Sequence, residues 1–224
     1  KNVVFSFKKR AEGKVELGTA VRLKNGNTLI TESSIDKPRL LEVNASGNIV
    51  VEVALQPDTD NVHMQTRMAR KLSNGNYLAP HLLGFAVKEY TPAGEVVNTF
   101  KTDLEEIGGR EAENWPFTAI RLKNGHTVIN LTHGNKTIEV NKKGKIVWMV
   151  SNDDFDENPF KDPCGGQRLP NGNTVIASYG AQEGIKLFEV NRKKEMVWSY
   201  DGYKVHHFQI LTTNGKPLKG KPMK

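Results

Sequence analysis

The nine-residue stretch RLKNGNTLI, which starts at Arg22, is followed by three close copies of itself along the chain. The copies are KLSNGNYLA, RLKNGHTVI and RLPNGNTVI, and the four turn glycines are Gly26, Gly75, Gly125 and Gly172. Their spacings of 49, 50 and 47 residues indicate one structural unit that is repeated. Apolar residues alternate on both sides of each Asn-Gly pair, a pattern that predicts a β-hairpin with a two-residue turn.

A second hairpin is predicted after each copy of the phrase. The four segments share a glutamate, then Val or Tyr, a polar turn and an apolar strand, and the glutamates are Glu42, Glu89, Glu139 and Glu189. Four short antiparallel strands in each repeat are typical of a β-propeller blade. We therefore predict an all-β fold, with Trp148 and Trp198 packed between blades. The prediction is a single propeller domain over residues 1–224, with blade repeats at approximately 18–55, 66–100, 117–150 and 165–200.

The two ends of the chain are predicted to form one further blade together. The stretch KNVVFSF at residues 1–7 has the pattern of a fourth strand, and FQILTTNGKPL contains a fainter fifth copy of the phrase around Gly215. A blade built from both termini removes exposed sheet edges. Two alternatives stay open: five blades, with the terminal blade shared between residues 1–8 and 205–224, or a six-bladed propeller that lacks its N-terminal strands.

Composition limits the classes of partner. The net charge of +7 comes from lysines scattered over turns and the C-terminal tail, and no basic loops interleave with stacking aromatics, so we predict no specific nucleic-acid partner. The single cysteine, Cys164, excludes an internal disulfide and a cysteine-based zinc site. No apolar run is long enough for a transmembrane helix. The chain opens on Lys1 without a signal peptide, so we expect either a removed leader or a longer parent protein.

Two signatures carry a family resemblance over residues 3–211. The phrase LKNGNTLI is followed by segments such as TIEVNKKGKIVW, and the stretch TRMARKLSNGNYLAPH spans residues 66–81. In these signatures the chain resembles secreted bacterial β-propeller repeat proteins described as PQQ-binding-like or arylsulfotransferase-like. The resemblance implies a propeller fold and an extracytoplasmic location, periplasmic or secreted. It also implies His81 or His207 as a candidate sulfate acceptor.

The chain departs from that family at two places. It has SYGAQEG, with Tyr179, at the place of a His-Ala-Gly-Pro-like turn, and DPCGG at the place of Trp-Val-Thr. A bound PQQ needs a Ca²⁺ site of carboxylate and amide oxygens, an Asp base and stacking partners, and no such constellation stands out. We therefore predict that the chain shares the blade architecture of these proteins and does not bind PQQ. A divalent metal ion as a cofactor stays an open alternative.

The candidate site is predicted at the mouth of the central channel, where residues before the inner strands and after the second strands converge. The predicted ligand contacts are Glu32, His63, Arg67, His81, Trp115, His133, Tyr179 and His207. Imidazole and carboxylate donors suit Zn²⁺ or Cu²⁺, so the metal candidates among them are His81, His133 and Glu32.

We predict a binding or interaction module whose ligand is a small molecule, a glycan or a protein. The first alternative is a small propeller enzyme, sulfotransferase-like or a hydrolase or lyase, that uses a channel histidine. A structural component of the cell surface is the second alternative. The sequence favours binding over catalysis because no nucleophile elbow, P-loop, HExxH or CxxC motif is present. The oligomeric state stays open.

Overall fold

The computed structural model describes residues 2–3, 5–8 and 12–218 of the chain. The chain divides into two compact units, Lys1–Phe100 and Lys101–Lys224. Each unit contains two four-stranded sheets in which all strands are antiparallel to their neighbours and follow one another in chain order. These sheets are the blades of an all-β β-propeller, and we number them blade 1 to blade 4. The single domain over residues 1–224 stays a prediction.

Blades 1 and 2 belong to the first unit. The strands of blade 1 are β1 (Glu16–Arg22), β2 (Thr28–Ser33), β3 (Arg39–Val43) and β4 (Ile49–Ala54). The strands of blade 2 are β5 (Arg70–Lys71), β6 (Tyr77–His81), β7 (Ala86–Tyr90) and β8 (Val96–Lys101). Leu29, Leu40 and Val53 of blade 1 pack against Tyr77 and Tyr90 of blade 2 in one buried apolar cluster.

Blades 3 and 4 belong to the second unit. The strands of blade 3 are β9 (Pro116–Arg121), β10 (Thr127–Leu131), β11 (Lys136–Val140) and β12 (Ile146–Ser151). The strands of blade 4 are β13 (Pro163–Arg168), β14 (Thr174–Ser178), β15 (Leu187–Val190) and β16 (Met196–Tyr200). In the part of the chain that the structure describes, four single-turn 3-10 helices lie in the connections, at Val62–Met64, Glu105–Ile107, Arg110–Ala112 and Asn152–Asp154. None of the helices in the described ranges is long and apolar enough to span a membrane.

The prediction of five or six blades is wrong, because the described residues form four. The fifth copy of the phrase forms only a hairpin of two-residue strands, β17 (Thr212–Thr213) and β18 (Lys216–Pro217). Pro217 lacks the N–H that a longer ladder needs. At the other end, residues 5–8 form no strand, and Phe5 and Phe7 pack instead against the apolar cluster of blade 1. The described parts of the segments 1–8 and 205–224 therefore do not form the predicted terminal blade, and the rest of that prediction lies outside the described residues.

The hairpin turn of the phrase differs from the predicted two-residue turn. In blade 1 the Leu23 carbonyl accepts a hydrogen bond from the Gly26 N–H at 3.1 Å, and the Leu23 N–H donates to the Asn27 carbonyl at 2.8 Å. The loop therefore has three residues, of which only Gly26 needs a left-handed backbone, with φ of 87°. Asn25 contributes a side-chain oxygen that accepts from the Asn27 N–H at 3.1 Å.

The repeated glutamate joins blade 1 to blade 2. Glu42 lies on β3 and is buried, and it accepts a hydrogen bond at 3.1 Å from Asn27, the residue after the turn glycine of its own blade. From blade 2 it accepts hydrogen bonds from Lys71, the first residue of the phrase, and from the Tyr77 hydroxyl. Burial acts to raise the pKa of Glu42, but these hydrogen bonds outweigh it and hold the pKa below its usual value.

The same arrangement joins blade 3 to blade 4. Buried Glu139 contacts His126 of its own blade at 2.8 Å from Nδ1, and it accepts hydrogen bonds from Arg168 at 2.8 Å and Arg192 at 2.5 Å. Burial again acts to raise the pKa of this glutamate, and its three partners hold the pKa below its usual value. Arg168 and Lys71 occupy the same position of the phrase. We call this arrangement the glutamate clamp, and it gives a second reason for the repetition: the phrase encodes a contact between blades as well as a turn.

Candidate functional site

Glu32 and Arg39 form a buried ion pair in blade 1. Arg39 Nε lies 2.7 Å from Glu32 Oε2, and its Nη1 reaches Glu52 at 3.3 Å. The Arg39 guanidinium therefore balances the negative charge of Glu32, and removal of either partner alone would leave an uncompensated buried charge.

His81 is fully buried between two hydroxyl groups. Its Nδ1 lies 2.8 Å from Thr66 Oγ1, and its Nε2 lies 2.8 Å from the hydroxyl of Tyr90. That hydroxyl also accepts a hydrogen bond from the Gln56 N–H at 3.0 Å. Burial lowers the pKa of His81 to about 3, so the ring is neutral at physiological pH. Because both ring nitrogens have protein partners, a metal would have to displace one of them.

His63 and Arg67 come together at the surface of the first unit. His63 Nδ1 lies 2.8 Å from Glu16 Oε2, and Arg67 donates a hydrogen bond to the His63 carbonyl. The hydrogen bond with His63 is the main cause that lowers the pKa of Glu16. The structure thus joins His63 and Arg67 to Glu16, whereas the sequence predicted His63 and Arg67 as separate ligand contacts.

A hollow of about 380 Å³ lies elsewhere in the first unit. Its lining contains none of the eight predicted ligand contacts, and it consists of Ile35, Pro38, Pro57, Asp58, Thr59, Asp60 and Gln65. Two of its polar groups are committed to the fold. Asp58 pairs with Lys88 at 2.7 Å, and the amide of Gln65 bonds the Ser34 backbone at 2.8 and 3.0 Å.

In the second unit, His133 stacks on Trp115 between two carboxylates. The ring centroids are 4.7 Å apart with an interplanar angle of 22°. His133 Nε2 lies 3.0 Å from Glu113 Oε2, and its Nδ1 lies 3.4 Å from Asp162 Oδ1. His133 is half-exposed, and the indole N–H of Trp115 has no acceptor among the residues that the structure describes. The structure thus joins two predicted contacts, Trp115 and His133, to two carboxylates.

The backbone around His133 is held in uncommon conformations. Glu113 and Asp162 have φ of 47° and 48°, in the left-handed region that non-glycine residues rarely adopt. The Asp162 N–H donates a hydrogen bond at 2.8 Å to the side-chain oxygen of Asn135, in the same turn as His133. Residues held in sparsely populated conformations cluster at functional sites, so this geometry supports a functional interpretation of the pair of carboxylates.

A second aromatic group lies beside the first. The ring of His206 packs edge-on against Tyr179, with centroids 4.7 Å apart, and against Phe117 at 5.3 Å. The ammonium of Lys204 lies 4.2 Å from the centroid of Tyr179, within range of a cation–π contact. His206, Tyr179 and Lys204 are exposed. The neighbouring His207 is also exposed.

Asp162 connects the two groups. Its Oδ1 faces His133, and a Cβ built on Gly180 would lie 2.6 Å from its Oδ2. A side chain directly after Tyr179 would therefore require the Asp162 carboxylate to move. We call the resulting patch the aromatic surface, and it consists of Trp115, His133, Asp162, Tyr179 and His206.

Of the predicted ligand contacts, the structure brings together His63 with Arg67 and Trp115 with His133. Glu32 and His81 have separate buried partners in the first unit, and Tyr179 meets His206 in the second. Glu113, Asp162 and Lys204 were not predicted from the sequence. Within the described residues, no group of three or more His, Cys, Asp or Glu side chains is arranged to hold a metal ion.

No protein-family model matches the chain, and no curated protein matches it in sequence. Solved structures do match in fold. A protein of unknown function from Bacteroides caccae is 23% identical with a TM-score of 0.71, over 85% of this chain and 69% of that one.

Two further solved structures that match in fold are an enzyme and an extracellular domain. A catalytically inactive histidine-to-alanine variant of virginiamycin B lyase from Staphylococcus aureus, solved with quinupristin, is 13% identical with a TM-score of 0.61, over 94% of this chain and 61% of the lyase. The extracellular domain of a hybrid two-component system from B. thetaiotaomicron is 14% identical with a TM-score of 0.51, over 84% of this chain and 23% of that one. The chain thus spans less than two thirds of both. These similarities show the β-propeller fold, and they do not show the PQQ-binding-like or arylsulfotransferase-like family.

Proposed function

We propose that this protein is an extracytoplasmic β-propeller binding module and that its ligand contacts the aromatic surface of the second unit. The observation that carries the proposal is the half-exposed His133, which stacks on Trp115 between the carboxylates of Glu113 and Asp162. The extracellular domain from B. thetaiotaomicron supports the location by fold alone.

The chemistry of the surface favours a glycan-like ligand. The exposed residues His133, Tyr179 and His206 offer flat rings for stacking. The carboxylates beside His133 accept hydrogen bonds from hydroxyl groups, and Lys204 offers a donor next to Tyr179. A sugar ring presents both a flat apolar face and a rim of hydroxyls. In the hollow of the first unit, by contrast, Asp58 and Gln65 are already bonded within the fold.

Replacement of His133 or Tyr179 by alanine is expected to weaken glycan binding at least about tenfold, because each removes a stacking face. The probes are a panel of oligosaccharides and uronic acids, screened by thermal shift and measured by isothermal titration calorimetry, with ZnCl₂ in a separate arm. His63→Ala is the matched control, since it removes an exposed histidine from the first unit.

The proposal fails if no member of the panel binds the wild-type protein, or if His63→Ala weakens binding as much as His133→Ala does. Tightening by ZnCl₂ that depends on His133 would instead support the metal candidate of the sequence analysis.

A second candidate function is a histidine-dependent lyase. His133 between two carboxylates has the partners that a general acid or base needs, and a matched lyase is inactive when one of its histidines is replaced by alanine. The test is incubation with quinupristin, followed by chromatography. Consumption of quinupristin that disappears in His133→Ala would favour this candidate, and an unchanged substrate would reject it. Turnover of 4-nitrophenyl sulfate tests the sulfuryl-transfer alternative in the same way.

A further inference from the structure

Residues 204–210 follow β16 and lie in no strand or helix of the described structure. We call them the C-terminal segment. The segment carries His206, which belongs to the aromatic surface, and Lys204, which lies beside Tyr179. Because no β-ladder includes this segment, other contacts must hold these two side chains at the aromatic surface.

Gln167 on β13 bonds both backbone groups of Ile210. Its Oε1 accepts a hydrogen bond from the Ile210 N–H at 2.8 Å, and its Nε2 donates to the Ile210 carbonyl at 3.2 Å. Gln167 is fully buried. A glutamine amide offers a donor and an acceptor side by side, so it pairs with Ile210 as a neighbouring strand would.

The segment also packs closely on β13 and on the core of blade 4. A Cβ built on Gly165 would lie 2.8 Å from the His206 carbonyl oxygen and 3.3 Å from the ring of Phe208. Val205, Phe208 and Ile210 pack against the buried apolar cluster of blade 4. The segment therefore has a defined position, in which Gly165 leaves room for the backbone at His206.

This position brings two side chains of the segment to the aromatic surface. The ring of His206 packs edge-on against Phe117 and Tyr179, and the ammonium of Lys204 lies over the ring of Tyr179. Both His206 and Lys204 are exposed. They precede Ile210 by four and six residues, so the bonds between Gln167 and Ile210 constrain both of them.

We propose that the C-terminal segment is part of the ligand-binding surface and that Gln167 is the positioning residue that places His206 and Lys204 there. Because Gln167 is buried, it acts on a ligand only through the segment. The role in binding rests on the proposed function, since it assumes a ligand at the aromatic surface. The role in holding the segment does not depend on any ligand.

The first test uses the free protein. Gln167→Met keeps a side chain of similar length and removes both hydrogen bonds to Ile210. Hydrogen–deuterium exchange of the C-terminal segment, measured by mass spectrometry, is expected to be at least about fivefold faster than in the wild type, because two hydrogen bonds are lost. Gln65→Met is the matched control, since the amide of buried Gln65 bonds both backbone groups of Ser34 in the same way. It should leave exchange of the segment unchanged.

The second test is isothermal titration calorimetry with the member of the oligosaccharide and uronic acid panel that binds the wild-type protein most tightly. Gln167→Met is expected to weaken binding at least about fivefold, since His206 and Lys204 are no longer held at the surface. In a background of His206→Ala with Lys204→Ala, the same replacement should change the affinity less than about twofold, because the groups that it positions are already gone. Gln65→Met should bind as the wild type does.

Wild-type exchange of the segment in Gln167→Met, or wild-type affinity, would overturn the proposal. So would an undiminished loss of binding in the background without His206 and Lys204, or an equal loss in Gln65→Met, because either would show that Gln167 acts through the general stability of the fold. If no member of the panel binds the wild-type protein, the proposed function fails, and the exchange measurement still decides whether Gln167 holds the segment.

A second variant tests the same contact from the side of the segment, in case Gln167→Met does not fold. Ile210→Pro removes the N–H that donates to Gln167 and alters no strand of blade 4. Far-ultraviolet circular dichroism establishes that each variant is folded. Ile210→Pro is expected to give the same faster exchange and weaker binding, and wild-type values for both would contradict the proposal.

Discussion

Replacement of Glu139 by glutamine is expected to lower the free energy of unfolding by about 3–5 kcal/mol, the usual cost of breaking a buried ion pair. Glu139 is the only carboxylate that the described structure pairs with Arg168. Burial already lowers the pKa of Arg168, which shows that the guanidinium is poorly solvated in the fold. Without the negative charge of Glu139, a buried cation would lose its compensation. Urea denaturation at neutral pH measures the change.

Glu189→Gln is the matched control, because it makes the same change at the same position of the repeat. Glu189 is half-buried and its described partner is Asn173, so we expect a loss of no more than about 1 kcal/mol, the net contribution of a hydrogen bond. Equal losses in the two variants would mean that the repeated glutamate stabilises each blade by itself and does not join blade 3 to blade 4.

The free energy of unfolding is expected to fall by about 2 kcal/mol between pH 7 and pH 5, because His81 takes up a proton in the unfolded chain and not in the folded one. Burial lowers the pKa of this histidine from 6.5 to about 3, so the unfolded chain binds a proton below pH 6.5 that the folded chain does not. The contribution of the neutral ring is therefore complete above pH 6.5 and is lost as the pH falls towards 3. The limiting slope is about 1.4 kcal/mol per pH unit. Urea denaturation at a series of pH values measures it.

The window between pH 6.5 and 5 separates this effect from the titration of the two clamp glutamates. Glu42 and Glu139 have a pKa below the usual 4.5, so they lose their contribution only in more acidic solution. His81→Gln removes the titrating group, and its stability should change less over this window than that of the wild type. The control is exposed His207→Gln, which should keep the wild-type slope. A wild-type slope in His81→Gln would show that another group is responsible.

The sequence predicted the blades because their turns and alternating strands are local patterns. Gly26 and its equivalents adopt the left-handed backbone that the phrase requires, although the loop has three residues and not two. The number of blades was not predictable from the fainter fifth phrase, because a strand needs pairing partners as well as a turn. Trp148 packs between blade 3 and blade 4 as predicted, whereas the prediction is wrong for its equivalent Trp198, which is exposed.

The partners of each candidate side chain were less predictable, because they belong to other strands. His81 and His133 both follow the second strand of a blade in the sequence. His81 is the last residue of β6, at the position of buried Leu131 in blade 3, whereas His133 lies in the turn beyond β10. An alignment of the repeats on their strand ends would have shown this difference. The roles of Glu113 and Asp162 depend on loop geometry that no local pattern encodes.

The most direct test of the aromatic surface is nuclear magnetic resonance of ¹³C-labelled histidine side chains during titration with the tightest-binding oligosaccharide of the panel. We predict that the ring signals of His133 and His206 shift with ligand concentration while those of buried His81 and of His63 stay in place. Shifts confined to His63, or no histidine shift at a concentration where calorimetry shows saturation, would place the ligand elsewhere and contradict the proposed function.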